Sequence, residues 1–116
     1  MIRFIVITIS AVLYVSGANA DTAGEIGNLL SAVGKSDCAF IRNGRKYSAL
    51  EAEAHLRLKL RRGQRYATTT EKFIDRLASN SSITRKPYKI ECDNHQPIDS
   101  AEWLTAKLKY IRGGVE

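Results

Sequence analysis

The segment from Cys38 to Leu60, with the sequence CAFIRNGRKYSALEAEAHLRLKL, joins a tight hairpin directly to a capped helix, and the other elements are predicted to pack against it. Asn43-Gly44 lies between two short runs of strand-forming residues. This dipeptide is a strong signal for a two-residue turn, because both of its residues tolerate the positive φ that such a turn requires. The sequence therefore predicts two antiparallel strands here.

A two-residue turn also sets which residues of the two strands face each other. Phe40 is predicted to face Tyr47, and Arg42 to face Arg45, on the side of the sheet that carries Cys38. The aromatic pair would cover the core end of this face. The two arginines repel each other, by roughly a few tenths of a kcal/mol or more, unless an anion or a carboxylate lies between them.

Ser48 and Glu51 form a capping box at the start of the second helix. The Ser48 side chain is predicted to accept from the third helical amide, while Glu51 reaches back to the Ser48 amide. The segment 56–61 alternates like a strand, but its Leu, Lys and Arg residues favour helix and none is β-branched. We therefore predict a helix from Ala49 to Arg62, ended by Gly63.

The first and third helices are predicted from apolar residues at helical spacing. The first runs roughly from Thr22 to Val33, with Gly34 as a left-handed cap, and its apolar face consists of Ile26, Leu29, Leu30 and Val33. The third starts with a second capping box, Thr68 with Glu71, and ends near Asn80. Its buried face is predicted to consist of Phe73, Ile74, Leu77 and Ala78.

A third strand is predicted over Tyr88 to Cys92, where Tyr88, Ile90 and Cys92 share one face. Pairing this strand with the first places Phe40 across from Ile90. Residues 93–97 are predicted as a loop. A last helix then begins at Asp99 or Ser100 and stops at Gly113-Gly114, with an inward stripe of Trp103, Leu104, Leu108 and Ile111.

These elements predict a single α+β domain over residues 21–116. The predicted topology is α-β-β-α-α-β-α, with about four helices packed on a three-stranded antiparallel sheet in the order second, first, third strand. An apolar share of 44% in a chain of 116 residues is enough for one ordinary core.

Residues 1–20 have the pattern of a secretory signal peptide. Arg3 precedes the apolar run Phe4 to Val15, and Ala18-Asn19-Ala20 places small side chains at positions −3 and −1 of a cleavage site after Ala20. A transmembrane anchor needs about 18 or more apolar residues, and this run breaks at Ser16-Gly17. We therefore expect an exported protein without stable membrane insertion after cleavage.

Cys38 and Cys92 are the two cysteines of the chain. In an oxidising compartment an even pair indicates a disulfide, and this one would close a loop of roughly 55 residues. A metal site would have to combine the unbonded cysteines with His55 and His95, without an HExxH or CxxC motif. We therefore expect the disulfide, and neither a metal nor a cofactor.

Glu51 and His55 lie one turn apart on the predicted second helix, where a carboxylate can orient an imidazole. With a hydroxyl from the turn of residues 81–87, this pair would suit a small hydrolase, although the sequence places no nucleophile. Because Glu51 already has a capping role, a helix-surface pair is the simpler interpretation.

Basic and hydrogen-bonding residues outline a candidate binding surface. The formal charge is +6, and without Arg3 the 18 basic residues fall to 17 against 12 acidic ones, which leaves +5. Such a surface attracts polyanions, whereas the alternative is that these residues are solvated on all sides and that the turn hydroxyls satisfy nearby backbone groups. The candidate residues are Arg42, Asn43, Arg45, Glu51, His55, Arg57, Ser81, Ser82, Thr84, Arg85 and Lys86.

Three segments together resemble the YfeK-type family of small exported bacterial proteins of unknown function. They are Phe40 to Gly44, Glu51 to Leu60 (EAEAHLRLKL) and Glu71 to Tyr88 (EKFIDRLASNSSITRKPY). The resemblance implies a periplasmic location and carries no catalytic assignment. We therefore expect a non-enzymatic binding module for an anionic envelope component or a protein partner, not for nucleic acid, with the small hydrolase as the alternative. The sequence predicts no oligomeric state.

Overall fold

The computed structural model describes residues 20–113, so the predicted signal peptide lies outside the described residues apart from Ala20. The helices are α1 (Ala20–Lys35), α2 (Ala49–Arg62), α3 (Thr70–Phe73) and α4 (Ser100–Ile111). A 3-10 turn, Gln64–Tyr66, precedes α3, and α3 continues directly into a π-helical segment, Ile74–Ala78. The strands are β1 (Ala39–Arg42), β2 (Arg45–Tyr47), β3 (Lys89–Glu91) and β4 (Ile98–Asp99). The predicted α+β class is confirmed.

The sheet is antiparallel with the order β2-β1-β3-β4, so β1 is paired on both sides. Phe40 pairs with Tyr47 on one side and with Ile90 on the other, and both predicted registers are confirmed. The predicted count of three strands was wrong, because β4 adds a fourth strand that pairs Ile90 with Ile98. Two residues are too few to show an alternating pattern, so no sequence signal indicated β4.

The Asn43-Gly44 turn has the predicted backbone geometry, with φ of 51° at Asn43 and 79° at Gly44. It places Arg42 opposite Arg45. At the other end of β1, Cys38 and Cys92 form the predicted disulfide, with their Cα atoms 4.4 Å apart. The hairpin turn thus connects β1 to β2 at one end of β1, and the disulfide connects β1 to the β3 side at the other end.

The core is one cluster of buried apolar side chains from the four α-helices, the π-helical segment and the strands β1 and β3. The predicted buried faces of α1 and of the third helical segment are confirmed: Ile26, Leu29, Leu30, Val33, Phe73, Ile74, Leu77 and Ala78 are all buried. On α4 the predicted stripe was too wide. Leu104 and Leu108 are buried, but Trp103 and Ile111 are only partly buried at the margin of the core.

Two helix ends differ from the prediction. α1 continues through Gly34 to Lys35, and the positive φ falls instead at Asp37, at 55°. A Cβ at Gly34 would overlap the carboxylate end of the flexible Glu53 side chain, which would have to move. The cap of α3 is Thr69 rather than Thr68, since the Thr69 side chain accepts from the Lys72 amide.

α2 has the predicted bounds, and Ser48 caps it by accepting from the Glu51 amide at 3.1 Å. The second half of the predicted box differs, because the Glu51 carboxylate accepts from the Ser48 hydroxyl at 3.1 Å rather than from the Ser48 amide. Within residues 20–113, no helix combines the length and the apolar character that crossing a bilayer requires.

Replacing Cys38 and Cys92 together by serine is expected to lower the free energy of unfolding by about 4 kcal/mol, because it releases a loop closed across a sequence separation of 54 residues. Urea unfolding followed by circular dichroism measures the loss. The wild-type protein in reducing agent is the control and should match the variant. A loss below about 1 kcal/mol would show that the disulfide contributes little to stability.

Candidate functional site

A groove of about 660 Å³ lies between the β1–β2 hairpin, α2 and the turn that follows the π-helical segment. Four basic side chains line it: Arg42, Arg45, Lys59 and Arg62. Neutral groups complete the polar lining, and they are Asn43, Tyr47, His55, Tyr66, Ser81, Ser82 and Tyr88. In the part of the chain that the structure describes, no Asp or Glu lines this groove.

The Tyr88 hydroxyl is the centre of a cluster of basic groups. Lys59 Nζ donates to it at 3.0 Å, and His55 Nε2 lies 3.3 Å from it. Arg42 Nη1 lies 2.8 Å from His55 Nδ1 and 2.9 Å from Nε2. Lys59 also donates to the Asn80 carbonyl at 3.0 Å. The α2 residues of this cluster are one turn apart, so they share a helix face.

The opposed arginines of the hairpin share the ring of Tyr47. The guanidinium carbons of Arg42 and Arg45 lie 4.7 and 5.8 Å from the ring centroid, and Arg42 Nη2 donates to the Tyr47 hydroxyl at 3.1 Å. Cation–π contacts reduce the repulsion without cancelling the charge. Within residues 20–113 no carboxylate forms an ion pair with either arginine, so both charges remain available to a ligand.

Burial and neighbouring charges change the protonation of the cluster. Desolvation, followed by the charges of Arg42 and Lys59, lowers the pKa of His55 from 6.5 to about 4. Desolvation, followed by the charge of Arg42, lowers the pKa of Lys59 from 10.5 to about 8. Burial raises the pKa of Tyr88 against the opposing effect of Arg42. At pH 7 His55 is therefore neutral, Lys59 is mostly charged and Tyr88 is a neutral phenol.

The turn of residues 81–87 is tied to the hairpin at the edge of the groove. Thr84 Oγ1 donates to Asn43 Oδ1 at 2.6 Å, and Asn43 Nδ2 donates to Ser81 Oγ at 3.4 Å. Ser81 Oγ also accepts from the amides of Ile83 and Thr84, each at 3.4 Å. The turn hydroxyls thus satisfy backbone groups, as one of the two sequence-based interpretations expected, and they also fix the turn against the hairpin.

The structure brings part of the predicted surface together. The predicted residues that line the groove are Arg42, Asn43, Arg45, His55, Ser81 and Ser82. Thr84 supports its edge, while Arg85 and Lys86 are exposed outside the lining. Glu51 lines a neighbouring pocket of about 190 Å³. Arg57 points towards α1, where it donates to Ser31 at 3.2 Å, and it also donates to Glu53 of its own helix at 2.8 Å.

Lys59, Arg62 and Tyr88 were not among the predicted site residues. The spacing of four residues from His55 to Lys59 was the available signal for the lysine, because it puts both side chains on one helix face. Tyr88 had no such signal. It was assigned only to a strand face, and its hydroxyl meets the lysine through tertiary packing.

The contacts of His55 do not form the arrangement that a hydrolase would need. Within residues 20–113 its hydrogen bonds go to Arg42 and Tyr88, and none joins it to Glu51, Ser82 or Thr84. In the same described part of the chain, no three His, Cys, Asp or Glu side chains come together as a metal site.

Comparison with known proteins gives the chain a family but no activity. A family model described as "Family of unknown function (DUF5329)" matches residues 20–112. The chain belongs to this family. It is also 45% identical over 74 residues to the "Uncharacterized protein YfeK" of Salmonella typhimurium strain LT2, a match that spans 63% of this chain and 62% of that relative. The predicted YfeK-type resemblance is confirmed. No solved structure matches this chain significantly.

His55 is expected to titrate with a pKa of about 4, measured by NMR of the imidazole nitrogens in a His95→Gln background that leaves one histidine. Arg42→Gln should raise this pKa, because it removes one of the two neighbouring charges. Since the unfolded chain keeps a pKa near 6.5, the wild-type protein should also lose stability as the pH falls from 6.5 through 4. A pKa near 6.5 for His55 in the protein that keeps Arg42 would show that burial and the neighbouring charges do not lower it.

Proposed function

We propose that this protein is an exported, periplasmic binding module that holds an anionic group of an envelope component in the groove, without a chemical reaction. The observation that carries the proposal is the convergence of Arg42, Arg45, Lys59 and Arg62 on one groove that no described carboxylate lines. Basic side chains are ordinarily dispersed over a solvated surface. Their convergence creates a positive potential that attracts anions.

Basic residues elsewhere in the described fold are used differently. Several pair with carboxylates, as in Lys46–Glu91, Arg57–Glu53, Lys89–Asp99 and Arg112–Glu25. Within residues 20–113, none of the four groove cations forms such a pair. The groove is therefore the place where positive charge is left for a partner outside the chain.

The donors of the groove suit a phosphate or carboxylate group. Arg42 presents a planar fork of N–H donors, and Lys59 adds a compact charge beside the Tyr88 hydroxyl. Partial burial strengthens these interactions, because the local dielectric is lower than that of water. A bound anion would raise the pKa of Lys59 above about 8 and reduce the repulsion within the cluster.

Two observations support export. The pattern of residues 1–20 is typical of a signal peptide. The disulfide between Cys38 and Cys92 is of a kind that persists in oxidising compartments such as the bacterial periplasm.

Lys59→Gln is expected to weaken the binding of inorganic phosphate at least about tenfold at pH 7 and low salt, because it removes a charged donor from the groove. Arg61→Gln is the matched control, since Arg61 is exposed on the same helix, does not line the groove and carries the same charge. NMR titration of the backbone amides measures both affinities.

The control variant should bind phosphate within about twofold of wild type. Equal weakening in the two variants would mean that only net charge matters, and the proposed site would be wrong. Absence of wild-type binding at phosphate concentrations up to about 10 mM would remove the proposed function itself.

A further inference from the structure

Ile83 is held in water at the edge of the groove. Its side chain is 93% exposed, more than Leu50 at 70%, Tyr110 at 59% or Tyr66 at 43%, which are the other exposed large apolar side chains of the described residues. It also belongs to the lining of the 660 Å³ groove. A partner surface that covers the mouth of the groove would bury this apolar side chain.

The turn fixes Ile83 in its outward position. The Ser81 amide donates to the Lys86 carbonyl at 2.9 Å, and the Arg85 amide donates to the Ser81 carbonyl at 3.0 Å. Arg85 accepts a positive φ of 64° to close the turn. Because Asn43 also bonds this turn, Ile83 is presented by a rigid support, and docking requires little further ordering.

Basic side chains lie in the same turn as Ile83 and in the groove that it lines. Arg85 and Lys86 follow it in the same turn and are exposed, and Arg45 and Arg62 line the groove beside it. An anionic bilayer matches this combination, because its head groups attract cations near the surface and the boundary of its acyl chains accepts an apolar side chain. The charge of +5 that remains when Arg3 is subtracted from +6 favours the same partner.

We propose that the turn of residues 81–87 docks the protein on a bilayer of anionic phospholipid. Ile83 enters the boundary between head groups and acyl chains, and the phosphate of one lipid occupies the groove at Arg42 and Lys59. This inference rests on the proposed function and names the source of the anion. Docking is reversible, since one apolar side chain and a few charges bind far more weakly than a membrane span.

The test is co-sedimentation of the purified protein with vesicles of phosphatidylcholine, with or without phosphatidylglycerol. Ile83→Ser should reduce partition onto the phosphatidylglycerol vesicles about tenfold or more, because it removes the apolar side chain that is buried on docking. Leu50→Ser is the matched control: Leu50 is also exposed, but it does not line the groove, and its replacement should change partition less than about twofold. The Leu50→Ser control should bind inorganic phosphate like wild type, because Leu50 does not line the groove.

A second measurement reports insertion directly. In a Trp103→Phe background, the fluorescence of an Ile83→Trp variant should shift to the blue with phosphatidylglycerol vesicles and stay unchanged with pure phosphatidylcholine. If Ile83→Ser and wild type bind the anionic vesicles equally, or both vesicle types are bound equally, the docking inference is wrong. If the wild-type protein still binds inorganic phosphate in that case, the proposed function stands. If it does not, both the proposed function and the docking inference are wrong.

Discussion

β1 is the strand on which the rest of the structure depends, because its register is fixed from both sides. The Asn43-Gly44 turn sets its pairing with β2, and the Cys38–Cys92 bond closes its pairing with β3. A shift of one residue would turn Phe40 out of the core and move Arg42 to the opposite face of the sheet. The packing of the core and the charge of the groove therefore follow from one constraint.

That constraint brings a guanidinium against two half-buried basic groups of α2. The fold satisfies some of the donors of Arg42 with the imidazole of His55, which is neutral at pH 7, and with the hydroxyl and ring of Tyr47. Within residues 20–113 no carboxylate pairs with Arg42, and its charge adds to desolvation, the larger cause, in lowering the pKa values of His55 and Lys59. A carboxylate would have removed this potential. Its absence from the described lining makes the groove suitable for an external anion.

Local chemistry predicted much of the fold and part of the site. The Asn43-Gly44 turn and the Ser48 cap act over a few residues, so the register of the hairpin and the bounds of α2 were predicted correctly. β4 was missed because a two-residue strand has no pattern of its own, and it forms only when the sheet is assembled. In the site, His55 was identified, but the choice of Arg57 over Lys59 required knowing which face of α2 meets α1. Contacts between segments that are distant in the chain decide which face of α2 meets α1, and the spacing of residues along the helix does not.

The most direct test of the uncompensated charge is the proton uptake that accompanies sulfate binding at about pH 8, obtained by calorimetry in two buffers of different ionisation enthalpy. Sulfate keeps its own charge in this range, so any proton taken up belongs to the protein. Since the pKa of Lys59 is about 8, the free protein carries this proton in about half of its molecules. We expect an uptake of up to about half a proton per bound sulfate, and Lys59→Gln should abolish it. Sulfate binding without proton uptake, or with the same uptake in Lys59→Gln, would contradict it.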